Sequence, residues 1–168
     1  MKYVYRLYQL FICLPLFLVA SVLTSVVTIL GCCVGNGHFW GYYPGKLWSW
    51  FTVRLFLLPV RVEGRENLSP GQSYVFVSNH QGSFDIFLVY GFLGRNFKWM
   101  MKRQLRSMPF VGMACEYSHQ IIVDKRGPKK IKETYDKARK TLSGGMSLVV
   151  FPEGARTFTG HMGVFRRG

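Results

Sequence analysis

The sequence predicts an α/β fold, with membrane-anchoring helices over residues 1–60 and a mostly parallel sheet with helical crossovers over residues 61–168. Three observations predict it. A long apolar segment opens the chain. Later, two short apolar runs each lead into a polar motif, and an amphipathic helix pattern lies between them. Strand, helix and strand in this order are typical of a parallel sheet, whose ligand sites gather at the carboxyl ends of the strands.

The first element is an apolar segment from Leu7 to Leu30, and no Asp, Glu, Lys or Arg occurs between Leu7 and Gly45. A helix of this length exceeds the roughly 20 residues needed to cross a hydrocarbon layer. A signal peptide usually has a shorter apolar core, and a small domain has little interior in which to bury a helix that is apolar on all sides. Membrane anchoring is therefore favoured, and Pro15 predicts a kink.

The second element, from Leu47 to Val60, is too short to span a membrane, and its Trp48, Trp50 and Arg54 suit the headgroup level. We expect an interfacial or re-entrant helix that pairs with the first to form a hairpin. Basic residues flank the first helix on both sides, so charge alone does not fix the orientation. A hairpin that enters one leaflet from the cytosolic side places the following domain on the cytosolic face.

The chain is strongly basic, with 22 Lys and Arg residues against 8 Asp and Glu and a formal net charge of +14. Such an excess attracts nucleic acid, anionic lipid or phosphorylated substrates, and charge alone does not choose among them. Because of the apolar segment we expect membrane lipids as partners and no nucleic acid. The four cysteines do not have the spacing of a metal site, so no metal is expected.

The later part of the chain begins with residues 61–73, predicted as a strand followed by a turn on Pro70 and Gly71. The runs 74–78 and 147–151 are apolar without alternation, which predicts strands covered on both faces.

A helix is predicted between these two runs, from Pro128 to a stop at Gly144. Its Lys and Arg residues are interpreted as a solvated face near an anionic membrane surface. The apolar stripe of this helix is expected to consist of Ile131, Tyr135, Ala138 and Leu142.

The first motif is NHQGSFD, from Asn79 to Asp85, directly after the first predicted strand. Imidazole can abstract a proton near neutral pH, and a carboxylate can fix its tautomer and stabilise the imidazolium. Five residues on an ideal helix are separated by about 140°, so His80 should precede a helix and Asp85 should lie in its first turn. Alone, the motif is weak evidence for catalysis, because such a pair is more often a loop histidine beside a helix-capping acid.

The second motif is FPEGART, from Phe151 to Thr157, directly after the other predicted strand. Gly154 permits close approach of the backbone, and Arg156 can bind a phosphate through two hydrogen bonds. Alone, the motif is also compatible with a turn that carries a surface arginine. Because both motifs follow strands of one parallel sheet, we expect them to share a site.

Together, NHQGSFD and FPEGART resemble the glycerolipid acyltransferase family. The resemblance implies the fold of that family, with residues 61–168 as its catalytic domain. It also implies transfer of an acyl group from acyl-CoA or acyl carrier protein to the free hydroxyl of 1-acylglycerol 3-phosphate (lysophosphatidic acid), without a cofactor. His80 would be the general base and Asp85 its orienting partner. The acceptor-phosphate side of the site would be formed by Glu153, Gly154, Arg156 and Lys102.

The chain departs from the family pattern in three places. Ala155 stands where the family usually has Thr, and Lys125 stands where it commonly has Arg. The last residues, HMGVFRRG, resemble the start of a further block that leads into another strand, so we expect a catalytic domain that is incomplete at its C-terminus. The alternatives are an acyltransferase for glycerol 3-phosphate or another lysophospholipid, and a basic membrane-binding module without enzymatic activity.

Overall fold

The computed structural model describes residues 2–157 and 161–165. The strands are β1 (Val75–Val77), β2 (Phe97–Lys102), β3 (Ile121–Val123) and β4 (Ser147–Val150). They form one four-stranded sheet in the order β1-β4-β2-β3, and each neighbouring pair is parallel. Helices connect the strands, as crossovers between parallel strands require. The predicted α/β class is therefore confirmed.

Two groups of helices surround this sheet. The helices are α1 (Lys2–Tyr8), α2 (Leu14–Val34), α3 (Gly37–Trp40), α4 (Tyr43–Leu55), α5 (Phe84–Phe92), α6 (Val111–Tyr117) and α7 (Pro128–Ser143). Short 3₁₀ turns occur at Arg65–Asn67 and Arg103–Ser107. The first four helices precede the sheet, and the other three lie between its strands.

A π-helical turn, Gln9–Cys13, joins α1 to α2, so that Lys2–Val34 forms one helix of 33 residues. The irregular turn falls just before Pro15, which has no amide hydrogen to donate to the carbonyl one turn earlier. Within the described ranges this is the one helix long and apolar enough to cross a membrane, and only 11% of its most apolar window is buried. A core helix of a soluble domain would be mostly buried, so this exposure favours the anchoring interpretation.

The second N-terminal helix, α4, packs against α2 as expected for a hairpin. The indole nitrogen of Trp48 donates a hydrogen bond of 3.0 Å to Ser21 Oγ. The helix begins at Tyr43, four residues before the predicted start, because Pro44 fits the first turn, where no amide hydrogen is needed.

The C-terminal end of α4 is closed by side chains from the first helix. The hydroxyl of Tyr5 donates to the carbonyl of Phe56 at 2.7 Å, and the hydroxyl of Tyr8 donates to the carbonyl of Leu55 at 2.8 Å. The thiol of Cys13 also donates to the Leu55 carbonyl, at 3.3 Å. Carbonyl groups that a helix end normally leaves unpaired are thus hydrogen-bonded within the hairpin.

Both faces of the sheet are covered at its centre. On one face Phe97, Trp99 and Val149 pack with Tyr42 and with the apolar side of α5. On the other face Leu148 packs with Ile121 and with Ala138 of α7. The central strand β4 is therefore buried on both faces, as predicted for its apolar run.

Three expectations about the remaining segments are wrong. β1 is an edge strand of the sheet, and its Val75 and Val77 are 50% and 55% exposed instead of covered. The strand predicted after residue 61 is absent from residues 61–73, because Gly64 adopts a left-handed φ of 81° and starts a 3₁₀ turn. In α7, Tyr135 is 54% exposed, and Thr134 takes the buried position instead. The turn at Pro70 and Gly71 is confirmed.

Candidate active site

The two sequence motifs meet at one edge of the sheet. β1 and β4 are parallel neighbours with Val77 paired to Val150, so the residues that follow each strand emerge side by side. The amide of Thr157 donates to the carbonyl of His80 at 2.8 Å, which joins the two loops directly. Because ligand sites of parallel sheets form at the carboxyl ends of strands, this edge is the candidate active site.

His80 and Asp85 form a hydrogen-bonded pair at this edge. His80 Nδ1 lies 2.8 Å from Asp85 Oδ2, and the two side chains are 16% and 24% exposed. His80 precedes α5 and Asp85 lies in its first turn, as the spacing predicts. The same oxygen of Asp85 accepts the amides of Gln81 and Gly82 at 2.7 and 2.8 Å. This carboxylate therefore fixes both the loop and the imidazole, and Nε2 is the ring nitrogen that remains able to exchange a proton with a ligand.

The ring of His80 is also held by stacking. It lies parallel to the ring of Phe151, with centroids 4.2 Å apart and planes inclined by 12°. Phe151 in turn stacks on Trp99 of β2, with centroids 5.5 Å apart. The imidazole plane is thus held by a stack of aromatic rings that extends to Trp99 in the core of the sheet.

Glu153 occupies a buried position beneath the His80 loop. Its side chain is 4% exposed, Oε1 accepts the amide of His80 at 2.8 Å, and Oε2 accepts the amide of Gly163 at 2.9 Å. The hydrogen bond from the His80 amide, together with that from Gly163, lowers the pKa of this carboxyl below its ordinary value, so Glu153 is ionised. A buried carboxylate whose oxygens already accept backbone amides holds the loop. Its negative charge does not suit direct contact with an acceptor phosphate.

Arg156 reaches the same edge from the second motif. Its guanidinium donates to Ser83 Oγ, which places it beside the start of α5 and close to the His80–Asp85 pair. The side chain is exposed and no carboxylate neutralises it among the described residues. Gly154 turns the chain between Glu153 and Arg156 with a φ of 68°, a left-handed conformation that favours glycine.

Lys102 lies at the carboxyl end of β2, with its side chain exposed. β4 lies between β1 and β2, so about 10 Å separates the strands that carry His80 and Lys102. Its role as a second phosphate ligand stays a prediction.

Lys125, at the position where the family commonly has Arg, is exposed. The neighbouring Arg126 binds Asp124, and its hydrogen bonds lower the pKa of Asp124 to about 2.

Two features of this site were not predicted from the sequence. Phe151 was predicted only as the last residue of a strand, yet it lies just beyond β4 and stacks on His80. Glu153 was predicted at the phosphate side but lies beneath the loop. The stacking joins two loops that are distant in the sequence, so no local pattern indicated it.

We expect Glu153→Gln to lower kcat by about ten- to a hundred-fold, since a misplaced base is costly even where the substrate still binds. The KM for the acceptor should change less than kcat. Glu66→Gln, at an exposed carboxylate far from the site, serves as the matched control. Steady-state kinetics of both variants, with thermal unfolding as a check of folding, measure the effect. A rise of about ten- to a hundred-fold in the KM for the acceptor, with kcat unchanged, would instead indicate that Glu153 binds the acceptor directly.

The pKa of Glu153 also predicts a pH dependence. Because folding lowers this pKa, the stabilisation is present above the ordinary glutamate pKa and is lost as the pH falls through the lower folded value. We therefore expect the unfolding temperature of the unmodified chain to fall in acid, and the Glu153→Gln variant to lose part of that dependence. Thermal unfolding across the acidic range measures the difference.

Comparison with known proteins gives a consistent result. The family model described as Acyltransferase matches residues 59–168. A 1-acyl-sn-glycerol-3-phosphate acyltransferase from Pseudomonas aeruginosa is 32% identical over 120 residues, covering 71% of this chain and 46% of that protein. The human 1-acyl-sn-glycerol-3-phosphate acyltransferase alpha is 35% identical over 115 residues, covering 68% of this chain and 41% of that protein. The chain thus spans less than half the length of these curated relatives.

A solved structure is similar to the fold. It is described as the 1-acyl-sn-glycerophosphate (LPA) acyltransferase PlsC from Thermotoga maritima, with a TM-score of 0.73 and 23% sequence identity. The match covers 98% of this chain and 65% of that one. The N-terminal helices and the sheet therefore both have counterparts in a solved fold.

Proposed function

The chain belongs to the acyltransferase family, and from that premise we propose that it transfers an acyl group from a thioester donor to the free hydroxyl of 1-acylglycerol 3-phosphate, giving phosphatidic acid. The observation that carries the proposal is the hydrogen bond between His80 Nδ1 and Asp85, with Arg156 beside it. These groups supply a base and a phosphate ligand at one edge of the sheet. The names of the relatives support the choice of acceptor.

The proposed reaction needs no covalent intermediate on the protein. His80 Nε2 removes the proton of the acceptor hydroxyl while the oxygen attacks the thioester carbonyl. The new C–O bond forms, the C–S bond breaks, and the proton passes from His80 to the departing thiolate. Asp85 stabilises the imidazolium that forms between these two proton transfers.

The acceptor phosphate is proposed to bind on the Arg156 side of the site. A guanidinium can donate two hydrogen bonds to a phosphate, and its charge is not neutralised by any described carboxylate. Lys102 is the proposed second contact. Gly154 contributes by turning the chain so that Arg156 points along the edge.

The surroundings of the reaction are part of the proposal. The exposed apolar surface of Lys2–Val34 supports attachment to membrane lipids, where a lysophospholipid acceptor resides. We propose that the sheet and its site lie on the cytosolic face, where acyl-CoA and acyl carrier protein occur. The test of orientation is protease cleavage in sealed vesicles from each side.

The assay that tests the function is transfer of labelled acyl groups by membranes that carry the chain. Lysophosphatidate, glycerol 3-phosphate and a lysophospholipid with a larger head group are compared as acceptors. We expect a preference for lysophosphatidate. A preference for another acceptor would change the assigned substrate, and no transfer to any of them by folded protein would support a membrane-binding module.

Arg156→Ala is expected to raise the KM for lysophosphatidate by about ten- to a hundred-fold, because one charge-assisted phosphate contact is lost. Arg156→Lys should recover part of the loss, since a lysine keeps the charge but not the two parallel hydrogen bonds. Arg139→Ala, at an exposed residue of α7, is the control. Monoacylglycerol, which lacks the phosphate, should be used equally by the wild type and Arg156→Ala. An equal loss on monoacylglycerol would contradict the phosphate role.

A further inference from the structure

A second basic site lies beside β3, the outer strand on the other side of the sheet from β1 and His80. A cavity of about 970 Å³ runs beside β3, between α7 and the segments that follow β2 and α6. We call it the β3 groove. Among the described residues that line it, seven are Lys or Arg and three are Asp or Glu. The groove therefore combines the size of a small-molecule site with an excess of positive charge.

The three acidic residues of the β3 groove are each paired with a cation. Glu116 pairs with Arg106, Asp124 with Arg126 at 2.8 Å, and Glu133 with Lys130 at 2.8 Å. These pairs neutralise three of the seven cations. The remaining positive charge is thus available for a ligand.

The remaining cations are Arg103, Lys98, Lys137 and Lys140. Arg103 has only a distant partner, since its Nε is 4.0 Å from the Asp124 carboxylate that Arg126 already binds. Lys98 is 6% exposed, and its ammonium donates to the carbonyl of Ser118 at 2.6 Å. Within the described part of the chain no carboxylate forms an ion pair with Lys98, Lys137 or Lys140.

These cations are spread along the groove. Lys130 and Lys140 are ten residues apart on α7, which corresponds to about 15 Å at the helical rise. Arg103 lies at the carboxyl edge of the sheet, just after β2, whereas Lys140 lies near the C-terminal end of α7. A single phosphate would contact only one end. The arrangement fits an elongated ligand that carries phosphates at separate places.

The acceptor lipid cannot use this groove during the reaction. β1 and β3 are the two edges of the sheet, separated by three strand spacings, or about 14 Å. Only a few bonds separate the phosphate of 1-acylglycerol 3-phosphate from its free hydroxyl, so the hydroxyl could not reach His80. A thioester carried on a long flexible arm can cross that distance along the carboxyl edge, past Lys102.

We propose that the β3 groove binds the phosphorylated nucleotide end of an acyl donor of the coenzyme A type, whose arm carries the thioester to His80. The inference rests on the proposed function and assigns its donor. A coenzyme A donor carries phosphates at both ends of its nucleotide, which matches cations that are spread along the groove. The groove has the volume of a small-molecule site, and a carrier protein in place of coenzyme A is an outcome that the kinetic test distinguishes.

The test compares two double variants of the full chain in detergent. Lys137→Ala with Lys140→Ala removes two groove charges. Lys129→Ala with Lys132→Ala removes the same charge from exposed residues of the same helix that do not line the groove. Binding of adenosine 3′,5′-bisphosphate and of non-reactive desulfo-coenzyme A is measured by calorimetry. The groove variant should bind both about ten-fold or more weakly, and the matched variant should resemble the wild type.

Kinetics give the second readout. In the groove variant the KM for acyl-CoA should rise by about ten-fold while kcat and the KM for lysophosphatidate stay unchanged. Equal weakening in both double variants, or no weakening in the groove variant, would overturn the proposal. So would a larger effect with acyl carrier protein than with acyl-CoA, which would assign the groove to a carrier protein.

Failure of the proposed acyl-transfer function would give a different result from failure of the groove assignment. Binding by His80→Ala protein should match the wild type, because calorimetry needs no turnover. If that protein binds the nucleotide and the wild type transfers no acyl group to any acceptor, the reaction is wrong and the groove assignment stands.

Discussion

Replacing His80 with alanine is expected to lower kcat for acyl transfer by about 10²–10⁴-fold, the range contributed by a positioned general base. His80 is the imidazole fixed at the site, with Nδ1 held by Asp85 and the ring stacked on Phe151. The acceptor hydroxyl would lose the group that removes its proton. Added imidazole should restore part of the rate, because the variant leaves a space of that shape between Phe151 and Asp85.

The His80→Ala experiment needs a check that the site is otherwise intact. Binding of lysophosphatidate should remain within a few-fold of the wild type, because Arg156 and its loop are unchanged. The unfolding temperature should also stay close. A variant that keeps full activity would exclude His80 as the base, whereas loss of binding and of folding together would show only a structural role.

Asp85→Asn is expected to lower kcat by about 10²–10⁴-fold with a small change in stability. All three hydrogen bonds end on the same oxygen, Asp85 Oδ2, so an asparagine oxygen at that position would keep both backbone amides and His80 Nδ1 but would be neutral. The neutral amide would no longer stabilise the imidazolium that forms when His80 takes the proton, which lowers the rate of the chemical step.

The comparison for Asp85→Asn is Asp136→Asn, an exposed carboxylate on α7 outside both sites. Steady-state kinetics and thermal unfolding are measured for both. The expected pattern is a kcat loss confined to Asp85→Asn, with the KM for lysophosphatidate nearly unchanged. If Asp85→Asn instead unfolded the chain without altering the rate of the folded fraction, Asp85 would be a loop-capping residue only.

Local sequence signals predicted the elements that contribute to the site. The run before Asn79 and the run before Pro152 became β1 and β4, and the spacing of His80 and Asp85 placed them on either side of a helix start. Such signals are reliable because turn residues and short apolar runs act over a few positions. The meeting of the two motifs at the carboxyl ends of β1 and β4, the candidate active site, could be predicted from those two strands.

Other features depended on contacts between distant parts of the chain. β2 was not predicted, because Lys98 interrupts its apolar pattern. Burial of Lys98 is made possible by its hydrogen bond to the carbonyl of Ser118, which the sequence does not indicate. The exposure of Val75 follows from the place of β1 at an edge, which a single strand does not reveal. The basic residues of α7 were interpreted as a solvated face, yet three of its lysines line the β3 groove.

The hydrogen bonds that close the end of α4 affect how deeply the hairpin can lie in a membrane. In hydrocarbon there is no water to hydrogen-bond a bare carbonyl, so helix termini usually stay among the headgroups. Tyr5, Tyr8 and Cys13 supply the hydrogens that water would otherwise provide to Leu55 and Phe56. These carbonyls are hydrogen-bonded without water. We therefore expect that the end of α4 can lie below the headgroups of one leaflet without a water molecule bound to it.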